Sequence, residues 1–207
     1  LILEYLTYCN NKSYLDFNDL LNKGKNLLEK NSKIRKYYQE KFKHILVDEF
    51  QDVNTAQVNL LYTLLNNNYL FCVGDDWQSI YGFRGSEVSY IVRFSDYFKH
   101  PTIIKLSTNY RSNNTIVCAS NEVIKKNKFK LDKKIEAHKK NNTKIYVYYS
   151  QKESEDGVQV VVNKVKSLLA NGFEKSDILI LYRKSKAFEP YYYRFKEERI
   201  YVPSKTI

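Results

Sequence analysis

Two adjacent acids follow a short apolar run, HILV, which ends at residue 47. Such a run is typical of a strand buried on both faces of a parallel sheet, and open α/β sheets bind ligands where their strands end. In a nucleoside triphosphatase, one carboxylate there holds Mg²⁺ and another activates the attacking water. Asp48 would hold the ion through water and Glu49 would be the base, although a bare Asp-Glu pair more often begins a solvated loop.

A second group of special residues follows the next apolar run, in the segment VGDDWQSIYGFRGS at residues 73–86. The amide of Gln78 can both donate and accept hydrogen bonds, so it could report whether a γ-phosphate is present. Tyr81, Phe83 and Arg84 lie among glycines that let the backbone approach a ligand. Aromatic rings can stack on bases, at about 1–3 kcal/mol per base. The alternative is a hydrophobic loop that fills the core.

A third group lies in KLSTNYRS at residues 105–112, where a predicted strand leads Tyr110 and Arg111 to the beginning of a helix. An arginine there can stabilise the charge on a phosphoryl group in the transition state, an effect of about 10³–10⁵ in rate. Tyr110 could stack on a purine. One such arginine could simply cap local carbonyls, but three groups in this order favour a phosphoryl-transfer site.

The elements that must position these residues follow from the apolar spacing. Residues 1 to about 40 have helical periodicity, and the two apolar runs flank a helical pattern at 55–68, which predicts a strand–helix–strand unit. Further strands are predicted at 102–107, 144–150 and 177–183, and helices at about 87–98, 113–126, 156–170 and 187–198. The fold class is therefore α/β, with parallel sheets flanked by helices. A domain boundary fits near His100 or in the Lys-rich stretch 125–144.

The composition favours a polyanionic partner. Lys and Arg total 34 against 23 Asp and Glu, a formal charge of +11, which indicates nucleic acid; compositional bias toward Lys and Asn explains the charge equally well. Three distant cysteines offer no disulfide framework or zinc spacing, so a cytoplasmic location is expected. No apolar run approaches the roughly 18 residues that cross a bilayer. Without any methionine, the chain is expected to be an excerpt of a longer protein.

The three groups together resemble a known family. DEFQD, GDDWQSIYGFRGS and NYRS are similar to the second, third and fourth motifs of the UvrD/Rep/PcrA group of superfamily 1 DNA helicases. The segments LDFNDL, ASNEVIKKN and DILILYRKS also resemble parts of these helicases, so that the likeness covers nearly the whole chain. The DDWQ variant looks closer to the helicase IV-like branch.

The resemblance implies a motor of two RecA-like lobes that binds ATP and Mg²⁺ between them and moves 3′ to 5′ along single-stranded DNA, acting at duplex junctions. Asp48 matches the family's magnesium ligand, Glu49 its catalytic base and Gln78 its γ-phosphate sensor. Arg111 matches the arginine finger and Tyr110 the aromatic residue that stacks on adenine.

The same resemblance assigns a DNA contact and a domain boundary. Phe83 stands where the family usually has a Trp that stacks on a base, and Tyr81 and Arg84 would lie beside it. The family's crossover between lobes comes before NYRS, so residues 1–100, with a mainly helical lead-in at 1–43, would belong to the first lobe. Residues 101–207 would belong to the second lobe.

Two departures limit what the chain alone should do. No G-x-x-x-x-G-K-[ST] phosphate loop occurs, because the Gly-Lys pair at residues 24–25 lies in a predicted helix. The family's last two motifs are missing too. We therefore expect ATP hydrolysis by the intact parent and no useful turnover by this chain. The alternatives are a non-catalytic helicase-like scaffold that binds DNA, or the motor part of a helicase-nuclease.

Overall fold

The computed structural model describes residues 1–149 and 155–202, with residues 155 and 156 described through their backbone alone. Two compact units, Leu1–Lys144 and Ile145–Ile207, make up the chain. The helices are Ile2–Lys12 (α1), Phe17–Lys30 (α2), Ser32–Lys41 (α3), Thr55–Leu64 (α4), Ser89–Val92 (α5), Phe94–Tyr97 (α6), Asn114–Lys125 (α7), Glu155–Ala170 (α8) and Ser185–Glu197 (α9). The strands are His44–Val47 (β1), Tyr69–Cys72 (β2), Thr108–Asn113 (β3) and Glu136–Lys139 (β4). Helices thus alternate with parallel strands, which confirms the predicted α/β class.

The helices before the first strand begin at polar caps. The Asp19 N–H donates to Oδ1 of Asp16 at 2.7 Å, and the Asp19 side chain accepts from the Asp16 N–H, so the two residues form a capping box at the start of α2. Asn31 caps α3 in the same way through the Ile34 N–H. α2 packs against α3 and α4 and buries Leu28. The predicted helical lead-in is therefore present.

The strand–helix–strand unit forms as predicted, with β1 and β2 parallel and His44 paired with Tyr69. Inward-facing residues of both strands pack on a core whose buried members are Phe50, Val53, Val58, Leu61, Tyr90 and Phe98. The expectation that both strand faces are buried is wrong, because Leu46 and Phe71 are 72% and 60% exposed. In the described part of the chain, the core covers one face of this sheet.

The second pair of strands, β3 and β4, is also parallel and flanks α7. β3 begins at Thr108, so it contains the NYRS residues instead of preceding them, and the strand predicted at 102–107 does not form. Ile104 and Leu106 are exposed in that run, and no strand of the described residues pairs with it. β4 lies within the Lys-rich stretch that we expected to interrupt the pattern.

In the second unit, α8 and α9 pack around Val162, Val165 and Phe195. The strands predicted at 144–150 and 177–183 are not formed at 144–149 or at 177–183, and residue 150 lies outside the described residues. Ile178 and Ile180 pack on the core while Leu179 and Leu181 are exposed. The alternation of a strand is there, but among the described residues no neighbouring strand completes it.

Residues 101–144 share a compact unit with residues 1–100, and the units divide after Lys144. The lobe boundary near His100 stays a prediction. None of the helices in the described ranges is long and apolar enough to cross a bilayer.

Candidate functional site

The acidic pair lies directly after β1, at the carboxyl end of a parallel strand as predicted. Glu49 adopts a left-handed backbone conformation with φ 49°, and its N–H donates to Oδ1 of Asp48 at 2.9 Å. A non-glycine residue in this conformation is uncommon and is found mostly at turns and functional sites. The turn ends the strand and begins the 3-10 segment Phe50–Asp52.

Gln51 connects the acidic pair to the end of the neighbouring strand, a role that the sequence did not suggest. The side chain belongs to a residue only 1% exposed. Its Nε2 donates to Oε2 of Glu49 at 2.7 Å, and its Oε1 accepts from the Asp75 N–H at 2.9 Å. The buried amide of Gln51 therefore bonds to the Glu49 carboxylate through its nitrogen and to the Asp75 backbone, in the segment after β2, through its oxygen.

Gly74 makes this contact possible. A Cβ at that position would lie 2.7 Å from Oε1 of Gln51 and 2.7 Å from Cδ1 of Ile91. The Ser79 hydroxyl adds a longer bond, 3.3 Å, to the Gln51 carbonyl oxygen. The glycine of the VGDD segment is thus required by close packing on Gln51.

Gln78 lies on the 3-10 segment Asp76–Gln78 that follows β2, at the same end of the sheet as Glu49. Its Nε2 donates to Oδ2 of Asp75 at 2.8 Å. Since the Asp75 backbone is bonded to Gln51, three hydrogen bonds connect Glu49 to Gln78 by way of Gln51 and Asp75. The structure therefore brings the predicted base and the predicted sensor into one network.

A lysine from the Lys-rich stretch completes this network. Nζ of Lys133 lies 2.6 Å from Oδ1 of Asp75 and 2.7 Å from Oδ1 of Asp76, and 5.0 Å from the centre of the Trp77 ring. Burial acts to raise the pKa of Asp75, but the hydrogen bonds from Lys133 and Gln78 outweigh it and lower that pKa. Sequence reasoning missed Lys133, because nothing distinguishes it from the lysines around it.

Tyr81, Phe83 and Arg84 form a small cluster at the surface. The two ring centres are 6.1 Å apart, and the Arg84 guanidinium lies 5.1 Å from the Tyr81 ring and 5.5 Å from the Phe83 ring. Phe83 is 76% exposed. The alternative of a core-filling loop is therefore wrong, and a cation and two rings are open to solvent.

Tyr110 and Arg111 lie on β3, just before α7 begins. Tyr110 is exposed and its ring lies 4.8 Å from the His138 ring, while the Arg111 N–H donates to Oδ1 of Asn109 at 3.0 Å. Among the described residues, no hydrogen bond or ion pair joins Arg111 to Glu49 or Gln78. The structure thus assembles two of the three predicted groups and leaves the third on a separate sheet.

The acidic end offers oxygen atoms suited to Mg²⁺ and phosphate chemistry. Asp48, Glu49 and Asp52 line one side of a cavity of about 400 Å³. Oδ1 of Asp52 is buried and has no hydrogen-bond partner among the described residues, and burial together with the Glu49 charge raises the pKa of Asp52. In the part of the chain that is described, no three acidic, His or Cys side chains form a metal site. Proteins bind Mg²⁺ through one or two carboxylates together with water and substrate phosphates, and Asp48 and Glu49 offer two carboxylates beside this cavity.

Comparison with known proteins identifies the family. The model of the UvrD/REP helicase N-terminal domain matches residues 1–99, and that of the UvrD-like helicase C-terminal domain matches residues 104–206. The chain belongs to the UvrD/Rep helicase family. This confirms the resemblance drawn from the motifs, and the parallel α/β units agree with the family's RecA-like fold.

Several helicases are similar to this UvrD-family chain. A probable DNA helicase II homolog of Rickettsia conorii is 41% identical over 172 residues, and DNA helicase II of Rickettsia typhi is equally similar. The ATP-dependent DNA helicase PcrA of Staphylococcus aureus is 39% identical over 170 residues. Each match covers 82% of this chain but only 26%, 26% and 23% of the relative. The chain thus spans about a quarter of the length of these relatives.

Proposed function

We propose that this chain is the central part of an ATP-dependent DNA helicase that moves 3′ to 5′ along single-stranded DNA and acts at duplex junctions. The observation that carries the proposal is the hydrogen-bonded path from Glu49 through Gln51 and Asp75 to Gln78. Through such a path, Gln78 beside the γ-phosphate and Glu49, which would activate the water, would respond together to bound nucleotide. The motifs and the names of the relatives support the same function.

The acidic strand end would do the chemistry. Bound ATP would supply the γ-phosphoryl group, and the Mg²⁺ bound with it would neutralise the charge of that group. Asp48 would hold the ion through water, and Glu49 would accept the proton of the attacking water. Because Gln51 donates to Oε2 of Glu49, we assign the proton to Oε1. Gln78 would sense the γ-phosphate through its amide.

The third group would serve the same nucleotide from the second lobe. Arg111 would be the arginine finger and Tyr110, which is 66% exposed, would stack on the adenine. The match of separate family domains to residues 1–99 and 104–206 supports lobes that divide near residue 100. β3, which carries both residues, would then belong to the second lobe.

The exposed cluster of Tyr81, Phe83 and Arg84 would bind DNA. Phe83 is the ring most open to a base, and Arg84 can contact a phosphate while it lies against both rings. The charge of +11 supports contact with the phosphate backbone. Three free cysteines are consistent with the reducing environment of the cytoplasm, which is the location we propose.

The test is ATP hydrolysis by the full-length parent and by this chain. We expect DNA-stimulated turnover by the parent that Glu49→Gln lowers by at least about 10²-fold, since a positioned general base contributes about 10²–10⁴-fold. The 207-residue chain, which has no phosphate-loop signature, should show no useful turnover. A full-length protein that binds DNA but never hydrolyses ATP would be a scaffold and would refute the proposal. Turnover by this chain that Glu49→Gln abolishes would refute the need for the loop.

A further inference from the structure

Lys133 is held in a site built of two carboxylates and a ring. Its side chain is 13% exposed, and Nζ lies within 2.7 Å of oxygens of both Asp75 and Asp76. The Asp76 side chain is fully buried, and its second oxygen accepts from the Leu131 N–H at 2.7 Å. The ammonium also lies over the Trp77 ring. Residues 131–133 are thus bonded to the turn that follows β2.

The neighbouring residue Lys134 lacks the burial and the paired carboxylates that surround Lys133. Lys134 is 83% exposed and lies 3.4 Å from the exposed Glu136, an ion pair of the kind that contributes little to stability. A fully buried carboxylate such as that of Asp76 needs a cation or several donors, because burying an unpaired charge is costly. Lys133 supplies that cation and so determines the shape of the turn.

The bonds of Asp75 carry the effect of Lys133 to Gln78. Oδ1 of Asp75 accepts from Lys133 at 2.6 Å and, at 3.1 Å, from the Trp77 N–H, and Oδ2 accepts from Nε2 of Gln78. We propose that Lys133 is a positioning residue, which fixes the Asp75 carboxylate and thereby holds the amide of Gln78 in place. The role of Gln78 itself rests on the proposed function.

The location of Lys133 gives the proposal a further consequence. Lys133 lies in the part of the chain that matches the C-terminal helicase domain, whereas Asp75 and Gln78 lie in the part that matches the N-terminal domain. All three belong to one compact unit. The second family region thus controls the orientation of a side chain in the first, and any movement of residues 131–133 would release Gln78.

The test uses this chain with Lys133→Met, and Lys134→Met as the matched control. The side-chain amide resonances of Gln78, assigned by their loss in Gln78→Ala, report its bond to Asp75. The fluorescence of Trp77, the only tryptophan, reports the turn. We expect Lys133→Met to move the Gln78 resonances to those of a freely rotating glutamine that has lost its bond to Asp75, and the Trp77 emission to longer wavelength. Lys134→Met should leave both unchanged, and Lys133→Arg should restore both, since a guanidinium can bind two carboxylates.

A folded Lys133→Met chain with unchanged Gln78 and Trp77 signals would overturn the proposal. If that variant does not fold, Asp75→Ala decides the matter, because it removes both oxygens of Asp75 and leaves the pair between Lys133 and Asp76 intact. Gln78 should then be released, and its amide resonances are the readout for this variant, because Oδ1 of Asp75 also accepts from the Trp77 N–H. A Gln78 signal that persists would refute the role of Asp75. None of these signals depends on ATP. A full-length parent that does not hydrolyse ATP would therefore refute the proposed function, whereas the Gln78 resonances would still test the role of Lys133.

Discussion

We expect Gln51→Leu to lower the free energy of unfolding, so that the chain unfolds at a lower urea concentration. The side chain donates to the Glu49 carboxylate and accepts from the Asp75 N–H. A hydrogen bond to a charged group contributes about 1.5–3 kcal/mol, and a buried N–H left unpaired costs about 1–3 kcal/mol. Leucine recovers roughly 1 kcal/mol through its apolar surface. These contributions leave a loss of about 1.5–5 kcal/mol. Because Glu49 is exposed and can be solvated instead, we expect a value in the lower half of that range, about 1.5–3 kcal/mol.

The assay is urea unfolding followed through Trp77, which lies on the turn next to the bond that is removed. The matched control is Gln39→Leu, which removes a single hydrogen bond from Nε2 of Gln39 to the Thr63 carbonyl oxygen. That variant should lose about 1 kcal/mol. A loss below about 0.5 kcal/mol for Gln51→Leu, the usual range of surface substitutions, would refute the role assigned to Gln51.

Gln51→Glu should make the stability depend on pH. The new carboxyl would face Oε2 of Glu49 and Oδ2 of Asp52, which lie 2.7 Å and 3.3 Å from Nε2 of Gln51 in the structure. Burial and the two like charges raise its pKa above the usual value of about 4.3. Its contribution to stability is therefore present below that value and is lost as pH rises through the raised pKa, by up to about 1.4 kcal/mol per pH unit. A difference from the wild type that is constant between about pH 5 and pH 8 would contradict this.

Three further predictions concern single residues. Gly74→Ala should lower the stability by about 1–3 kcal/mol in urea unfolding, because the added Cβ would overlap two neighbours, whereas Gly82→Ala, with no atom within 4 Å of its Cβ, should have a much smaller effect. Phe83→Ala should weaken single-stranded DNA binding roughly tenfold in fluorescence anisotropy, while Phe17→Ala, which removes a ring that is 86% exposed, should not. Burial raises the pKa of the Cys72 thiol to about 12. Because the thiolate is the nucleophile, alkylation of Cys72 at about pH 8 should be on the order of 10²–10³-fold slower in the folded chain than in the urea-unfolded chain. Mass spectrometry measures both rates.

Each of these predictions has a contrary result. Equal losses for the two glycine variants would mean that packing on Gln51 does not matter. DNA affinity that is insensitive to Phe83, or to rising salt, would count against the exposed cluster as a DNA contact. Rapid alkylation of Cys72 in the folded chain would show that its strand opens readily.

The elements that the sequence predicted well are those whose signals are local. The N-cap residues of α2, α3 and α4 are Asp16, Asn31 and Asn54. Their side chains accept hydrogen bonds from the backbone N–H groups three residues later. Each helix depends only on residues close by in sequence, so apolar spacing was sufficient to predict it. The same holds for the acidic pair, since a short apolar run that ends in Asp48 and Glu49 marks the end of a strand.

The predicted strands failed where pairing depends on distant residues. The runs at 102–107 and 177–183 contain three and four aliphatic residues, against three in β1, yet neither is paired within the described residues. β4, in contrast, carries little apolar character and forms because β3 lies beside it. A strand is stabilised by its neighbours' hydrogen bonds, and the sequence of the strand itself does not say which neighbours are present.

Residue types and their order determined the family and suggested candidates for the base, the magnesium ligand and the sensor, because short motifs keep these groups together along the chain. Only the tertiary structure decided how the groups are held. Gln51 reaches Asp75 across 24 positions and Lys133 reaches it across 58, and no local pattern separates these two residues from the other amides and lysines. Burial makes them matter, since an amide or ammonium removed from water must find its partners inside the fold.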